Sequence, residues 1–388
     1  MIEAVIVDAV RTPMGRGKAG GALSQVHAVD LLAGVLRQIV DRNRLDPARI
    51  DDILIGCVSQ ASEQSNTPGR MAALSAGFPV HVSATTIDRK CGSSQQAIHF
   101  AAQGIMAGQY DVVIAGGLES MSRVPMGSAR MGADIYGPGL NARFAPGLVS
   151  QGVAAELIAQ RWGLSRADLD AYSALSHRRA AEAQFDVEIV PVETPQGLVS
   201  ADETIRPGTT VEGLSGLCPS FPTEEMDTRF PGLDWSITAG NSSQLADGAA
   251  ALLIMAEPVA RSLGLKPRAR FVAFDVIGDD PLFMLTAPIP ATRRILQKSG
   301  LSLDRISHYE VNEAFAPVPL AWAKELRADP ERLNPCGGAI ALGHPLGASG
   351  ARLMTTMLNA LEQSGGRYGL QTMCEAGGMA NATIIEVL

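Results

Sequence analysis

Apolar positions along the chain follow two alternating rhythms. "AVIVDAV" at 4–10 is a nearly continuous apolar run, as a strand covered on both faces requires. Between 28 and 40, Ala28, Leu31, Leu32, Val35, Leu36 and Ile39 recur at three- and four-residue spacing, which predicts a helix with one buried face. "ILIGCV" (53–58) returns to strand, and "DVVIAGG" (111–117) is a further strand ending in glycines. Strand and helix in alternation predict a layered α/β fold.

The second half of the chain repeats the first. "LDPARIDDILIG" begins at Leu45 and "LSLDRISHYEVN" at Leu301, 256 positions later, with Arg49 and Ile50 matching Arg305 and Ile306. The same shift lays "CGSS" (91–94) over "GASG" (347–350), and the strand 111–117 over the approach to "GLQTMC" (369–374). Coincidences at one offset predict two homologous α/β halves. The segment from 119 to 242 has no counterpart. It is rich in Gly, Pro, Met and Arg and holds one predicted helix across "GVAAELIAQRWG" (152–163). A second begins at "LSRADLD", with Ser165 as N-cap and Asp168 three residues on. The expected organisation is a first half of 1–118 plus about 243–268, an inserted loop and substrate-binding subdomain of 119–242, and a second half of 269–388.

Composition narrows the class. Apolar residues make up 46% and charged residues 19% of 388, a globular balance with room for a large core. A net charge of −8 and the absence of a basic run argue against a nucleic-acid surface. The N-terminus lacks a basic-then-apolar leader, and no apolar stretch approaches the roughly 20 residues of a membrane span, so a cytoplasmic protein is expected. Five cysteines, Cys57, Cys91, Cys218, Cys336 and Cys374, are widely spaced without a C-x-x-C pair. Each is read as a thiol, neither disulfide-bonded nor a metal ligand.

Four short stretches carry candidate chemistry. In "DRKCGSSQQAIHF" (88–100), Cys91 stands just before a predicted helix, where free amides, the helix dipole and Arg89 and Lys90 would favour a thiolate. Cysteine is more commonly a buried filler, but a Gly-Ser-Ser turn makes a poor core. In "GGAIALGHPLGASG" (337–350), His344 lies between Gly343 and Pro345. It is either a plain turn histidine or an imidazole that small neighbours leave open to a substrate. Its place three residues before the position matching Cys91 brings the two loops into pseudo-symmetric register. In "VNEAFAPV" (311–318), Asn312 is either the cap of the next helix or a site residue. In "TMCEAGGMA" (372–380), Cys374 ends a strand and offers a second thiol.

Together, Cys91 in its helix-opening loop, N-E-A-F at 312–315, G-H-P at 343–345 and C-x-x-G-G at 374–378 resemble the thiolase family, acyltransferases that make or cleave 3-ketoacyl-CoA. The resemblance extends end to end, through "VDAVRTPMG" (7–15), "AGGLESMSRVPM" (115–126) and "SITAGNSSQLADGAAA" (236–251). It implies two duplicated α/β halves in an αβαβα arrangement with an inserted loop subdomain. It also implies a two-step reaction in which Cys91 takes the acyl group, His344 activates Cys91, and Cys374 serves as acid and base. His344 with a water held by Asn312 would form one oxyanion site, and the amides of Cys91 and Ala376 the other. Ser243, Arg206, Gln151 and Phe315 would contact CoA or the acyl chain. Coenzyme A enters as co-substrate, with no covalently bound cofactor and no metal. A homodimer or homotetramer is expected, as is a possible partner subunit of a β-oxidation complex.

The chain departs from the family pattern in places. Ala376 stands where a glycine is usual, and a left-handed backbone there would be costly. Cys336 replaces a usual asparagine and reads as a small filler. Gly213, Gly216 and Cys218 take places that are often basic, which would weaken the grip on CoA phosphates. Gln151-Gly152 replaces the Met-Gly common in acetoacetyl-specific members, and "NEAFAPVPLAW" resembles degradative enzymes. The expectation is thiolysis of medium, branched or ring-bearing 3-ketoacyl-CoA, in fatty-acid or sterol side-chain β-oxidation. The alternatives are a biosynthetic acetyl-CoA acetyltransferase, a related ketoacyl synthase, and a non-catalytic acyl-CoA-binding or lipid-binding protein of the same fold. Cys374 and N-E-A-F stand against the synthase, and the presence of Cys91, His344 and Cys374 against the binding protein.

Overall fold

The computed structural model describes residues 2–388. Its strands are β1 (Ala4–Arg11), β2 (Gly15–Arg16), β3 (Asp52–Gly56), β4 (Ser83–Ile87), β5 (Val112–Ser120), β6 (Val192–Thr194), β7 (Gly197–Val199), β8 (Ala246–Ala256), β9 (Ala269–Gly278), β10 (His308–Val311), β11 (Tyr368–Glu375) and β12 (Met379–Val387). All but the β6–β7 hairpin join one sheet, in the order β10-β11-β12-β9-β1-β8-β5-β3-β4, with β2 on β8.

Two sets of four strands mirror one another about the β1–β9 joint. β3 runs parallel to β5, β5 antiparallel to β8, and β8 antiparallel to β1. In the same way β10 is parallel to β11, β11 antiparallel to β12, and β12 antiparallel to β9. Only two residue pairs, Val5–Arg270 and Ile6–Ala269, join the sets. The 256-residue offset reappears in the elements: β3 and β10, the helices Ser93–Met106 and Ser349–Ser364, and β5 and β11 begin that far apart.

The layering follows from strand alternation. Val5 and Val7 of β1 and Leu253 and Met255 of β8 pack outward, against Leu32, Val35, Leu36 and Ile39 of the helix Ala28–Arg42. Ile6, Leu252 and Ile254 pack inward, against Ile98, Ala101 and Ile105 of one central helix and Met354, Leu358 and Leu361 of the other. On the far side, Ala380, Ala382 and Ile384 of β12 meet outer helices that bury Ile295 and Trp322. The result is the five-layer αβαβα fold with the central helices Ser93–Met106 and Ser349–Ser364 as its middle layer.

Segment 119–242 covers one end of these layers. Its helix Gln151–Trp162 starts on the Ser150 hydroxyl and stops at Gly163 in the left-handed region. The helix Arg166–Glu182 begins with the expected capping box: Ser165 and Asp168 each accept the other's backbone N–H.

The central helices meet through missing side chains. A Cβ on Gly117 would lie 2.1 Å from the Gly347 carbonyl oxygen, one on Gly56 2.3 Å from the Ser94 nitrogen, and one on Gly350 2.3 Å from the Gln95 nitrogen. Each obstacle is backbone, which cannot step aside. Gly117→Ala is therefore expected to destabilise by about 3 kcal/mol or more. Gly34→Ala, in a helix interior where a Cβ meets nothing within 4 Å, should be neutral or stabilise by up to ~1 kcal/mol. Thermal unfolding of the two variants beside the parent checks this contrast.

Candidate active site

Cys91 lies in the turn between β4 and the helix Ser93–Met106, and only 4% of its surface is exposed. The turn is tightly specified. Lys90 adopts a left-handed backbone with φ of 50°, unusual for a side chain of its size. The Ser93 hydroxyl donates to the Lys90 carbonyl (2.5 Å) and accepts from the Arg89 amide (2.9 Å). The Lys90 ammonium reaches back to Asp88 at 2.6 Å.

The thiolate expected at Cys91 is not the resting state. Burial, then the Glu375 carboxylate, push the thiol up to about 12, against the opposing pull of its own amide, Lys90 and the Ala376 amide. Removal from water outweighs the helix end because the helix begins two residues later and the Lys90 charge is spent on Asp88. The amides of Cys91 and Ala376 nonetheless both address the sulfur.

The C-terminal loop supplies the other half of this pocket. Cys374, the penultimate residue of β11, is fully buried, and burial together with Cys91 and Glu375 raise its thiol well above the ordinary value. Ala376 needs no left-handed backbone. Positive φ falls on Gly377 (97°) and Gly378 (78°), so the glycines carry the turn and the anticipated strain at alanine does not arise. Leu346 and Leu353 from the His344 segment and Met373 from β11 pack on Cys91, which brings the three loops together.

His344 is held from four directions. Its amide donates to the Gln244 carbonyl at 2.8 Å, and the preceding Gly343 has a φ of 85°. Its Nδ1 lies 2.6 Å from the Ser349 hydroxyl, which itself donates to the Pro345 carbonyl at 2.9 Å. With its one hydrogen on the carbonyl, Ser349 accepts from Nδ1–H. Nε2 is then the lone-pair nitrogen, and the Asn312 amide nitrogen faces it at 3.4 Å. Burial, with the nearby Arg352 guanidinium, pushes the imidazole down to about 3, so it is neutral and basic at Nε2.

Asn312 caps no helix. The next helix is Pro317–Leu326, and its N-cap, Ala316, has no side-chain hydrogen bond. The Asn312 backbone N–H instead donates to the Thr372 carbonyl (3.1 Å), two residues from Cys374, while the buried side-chain Oδ1 has no protein partner and is free to hold a water.

Glu313, also in N-E-A-F, is the structural counterpart. Its carboxylate accepts from the Tyr172 hydroxyl (2.8 Å), the Ser176 hydroxyl (2.7 Å), the Asn334 amide (3.1 Å) and the Ile340 backbone N–H (3.1 Å). It thus stitches the inserted segment to the loop that leads into His344. Glu119 does the same on the other side: one oxygen accepts from the amides of Val58 and Gly347, both at 2.9 Å.

The residues expected to meet CoA or the acyl chain sit farther out. Ser243 is half-buried, and its amide donates to the Ala314 carbonyl at 3.0 Å. Arg206 is exposed, with Nη2 3.1 Å from the side-chain oxygen of Gln244, the residue that also holds His344. Gln151 begins its helix; beside it, a Cβ on Gly152 would come within 2.4 Å of the Phe221 ring. Phe221 meets Phe315 edge to face at 6.0 Å. Cys218 is exposed, and Cys336 is partly buried against Phe185, Ala341 and Leu342, as a filler would be. In the loop before Phe221, Arg166 donates to the carbonyls of Leu214 and Leu217, so one cation is spent on folding the loop itself. Among the described residues no group of three or more His, Cys, Asp or Glu is placed to hold a metal ion, and no helix is long and apolar enough to cross a membrane.

Residues 4–258 match the family described as thiolase, N-terminal domain, and 265–387 that described as thiolase, C-terminal domain. A steroid 3-ketoacyl-CoA thiolase of Mycobacterium tuberculosis is 48% identical over 400 residues, covering 100% of this chain and 95% of its own. A 3-ketoacyl-CoA thiolase of Erwinia tasmaniensis is 46% identical with 100% of both chains covered. The crystal structure of the Bacillus anthracis acetyl-CoA acetyltransferase superposes with a TM-score of 0.88 at 36% identity, covering 100% of this chain and 99% of its own.

Ser349, Glu313, Glu119, Arg352 and Glu375 act around the site without having been singled out from the sequence. Glu119, Glu313 and Glu375 carried a signal, as charged residues inside the motif stretches, and Ser349 lies in the His344 loop; Arg352 carried none. Glu313→Ala leaves four donors without an acceptor and is expected to cost about 3 kcal/mol or more in stability. Glu313→Gln, which turns one acceptor into a donor, should fall between it and the parent; thermal unfolding of both variants measures the order.

Proposed function

Because this chain belongs to the thiolase family, we propose that it works as a degradative 3-ketoacyl-CoA thiolase with Cys91 as its nucleophile. It is an acyltransferase whose substrates are acyl-CoA and CoA. The observation that carries the reading is the pair of buried thiols, Cys91 and Cys374, each opposing ionisation of the other, with a histidine whose Nδ1–H is held by Ser349 and whose Nε2 lone pair, faced by the Asn312 amide, is the base.

In the first step the Cys91 sulfur attacks the 3-keto carbon and its proton passes to His344 Nε2. A thiol near 12 stays protonated until substrate arrives, so proton transfer and attack belong to one event. The oxyanion that forms lies against the amides of Cys91 and Ala376. The bond between the second and third acyl carbons then breaks, leaving the shortened acyl group on sulfur and the enolate of acetyl-CoA. Nε2, now carrying a proton, donates to the enolate oxygen together with a water on Asn312. The Cys374 thiol protonates the enolate carbon. In the second step the Cys374 thiolate takes the proton of an incoming CoA thiol, the CoA sulfur attacks the acyl-cysteine, and the departing Cys91 sulfur takes back the proton held on His344 Nε2. Ser243 and Arg206 flank the CoA entrance, and Gln151 and Phe315 the acyl side.

The acyl group we assign is longer or bulkier than acetoacetyl. Gln151, where acetoacetyl-specific members commonly carry methionine, supports this, as does the end-to-end 48% identity to a steroid 3-ketoacyl-CoA thiolase. We also propose that the two mirrored strand sets are duplicated halves bounded as 1–118 with 243–268 and 269–388, with 119–242 as the inserted substrate-binding subdomain. A homo-oligomer is proposed on the strength of β4, a partly exposed edge strand of Ser, Ala, Thr and Ile with one hydrogen-bonding side open. Five free thiols suit a reducing, cytoplasmic setting.

The test is thiolysis by the purified protein, following loss of 3-ketoacyl-CoA on addition of CoA, with acetoacetyl-CoA beside longer and ring-bearing chains. Preference for the longer chains is expected; preference for acetoacetyl-CoA would overturn the substrate assignment and leave the chemistry. Cys91→Ala should lower the rate at least about a thousandfold, and wild-type turnover in that variant would sink the mechanism. Asn312→Ala, which loses the water, is expected to cost on the order of a hundredfold in kcat.

A further inference from the structure

Glu375 stands between the two site residues Cys374 and Ala376 and has no part in the steps above. None of its surface is exposed, and neither carboxylate oxygen makes a hydrogen bond of ordinary geometry; one amide, that of Asn381, approaches it. The side chain lies across the Cys91 turn. A Cβ on Gly92 would meet its Oε1 at 1.8 Å and its Cδ at 2.7 Å, so the carboxyl fills the space beside the residue after the nucleophile. Arg89, whose buried Nε also lacks a partner, is close enough to favour the carboxylate electrostatically. A carboxyl packed this way is expensive to ionise, and a structural role alone would be filled as well by an amide or an apolar side chain.

We propose that the Glu375 carboxyl, packed across the Cys91 turn, is a positioning residue that governs how readily the Cys91 sulfur sheds its proton. The inference rests on Cys91 being the nucleophile. Its physical basis is that two negative charges a few ångströms apart in a dry site oppose each other. The charged and titratable groups around it are few. Arg89 favours the carboxylate, Cys91 and Cys374 are the thiols it opposes, Lys90 is paired with Asp88, and His99 beside Arg89 is held neutral by burial.

The sign follows from these groups. Burial raises the Glu375 carboxyl from its ordinary 4.5 to about 8, with Arg89 pulling the other way. Below that pH Glu375 is neutral and does not oppose a Cys91 thiolate; above it the carboxylate appears and raises the thiol further. The Cys91 thiol therefore resists ionisation less while Glu375 is neutral than once the carboxylate has formed. The same shift bears on stability. A carboxyl raised on folding contributes stability that is complete below about 4.5 and lost as pH rises through about 8.

The experiment alkylates Cys91 with iodoacetamide, its thiolate displacing iodide, from pH 6 to 10, with the rate read from the mass of the Cys91 peptide. No turnover is needed, so failure of this inference is distinct from failure of the thiolase assignment. In the wild type the logarithm of the rate should climb with pH and flatten around about pH 8 as Glu375 ionises. Glu375→Gln should give a straight line, equal to wild type near pH 6 and about tenfold faster at pH 9 and above. Arg89→Gln should move the flattening to higher pH. The melting temperature of Glu375→Gln should also gain on the wild type as pH rises from 5 to 8. A ratio of variant to wild-type alkylation that is the same at every pH would overturn the proposal. If Glu375→Gln does not fold, an unmoved flattening in Arg89→Gln overturns it equally.

Discussion

The site depends on how closely the N-terminal ends of the two central helices can approach. Gly56 of β3 and Gly117 of β5 leave no side chain where the strands meet the helix starts, and Gly350 none where the Ser349–Ser364 helix meets Gln95 of the Ser93–Met106 helix, so backbone meets backbone throughout. Cys91 opens one helix and His344 the loop into the other, and that approach puts both chemistries at one end of the middle layer. The Ala351 amide donates to the Ser94 hydroxyl at 2.9 Å, and Glu119 takes one amide from each half with a single oxygen. A shift of either helix would break these bonds together, which is how a contact without side chains becomes rigid.

Around that contact the protein tolerates costly burial of polar groups. Arg11 is fully buried and is repaid by Glu188 at 2.5 Å and by a two-pronged bond to Asp202 at 2.7 and 2.9 Å. Arg352 is equally buried, yet its three nitrogens make no hydrogen bond within the protein and its nearest carboxylate, Glu310, is 3.6 Å away. A guanidinium in that position disfavours a second positive charge on His344, which keeps the resting imidazole a base. Dryness therefore acts on the two partners in opposite chemical senses: it holds the cysteine protonated and the histidine unprotonated, so proton transfer waits for substrate.

The layers were legible in the sequence because they are periodic. Leu32, Val35, Leu36 and Ile39 repeat as a helix face, and the offset of 256 residues appears in strands, helices and short turns alike. The candidate loops were legible because cysteine, histidine and glycine are rarely placed together without cause. What stayed hidden needs three dimensions. Proximity to a helix start can be read at Cys91, but the desolvation that outweighs it depends on Leu346, Leu353 and Met373 arriving from elsewhere. Asn312 resembles a cap until β10 is seen to end five residues before the next helix. Ala376 looks strained until the positive φ values are found one and two residues later. Glu375 has an ordinary sequence context, and only its contact with Gly92 marks it out.

In the sheet the mirrored strand sets pair through two residues on each side, Val5–Arg270 and Ile6–Ala269, while the catalytic groups come from both sets. The site is in that sense a joint between two stiff bodies. Substitutions along the seam, at Ile6 or Ala269, or on the facing surfaces of the central helices, bear on how one body sits against the other. Such changes adjust the reach from sulfur to imidazole without altering either residue. Selection can therefore tune turnover from the seam, leaving the loops that carry the chemistry untouched.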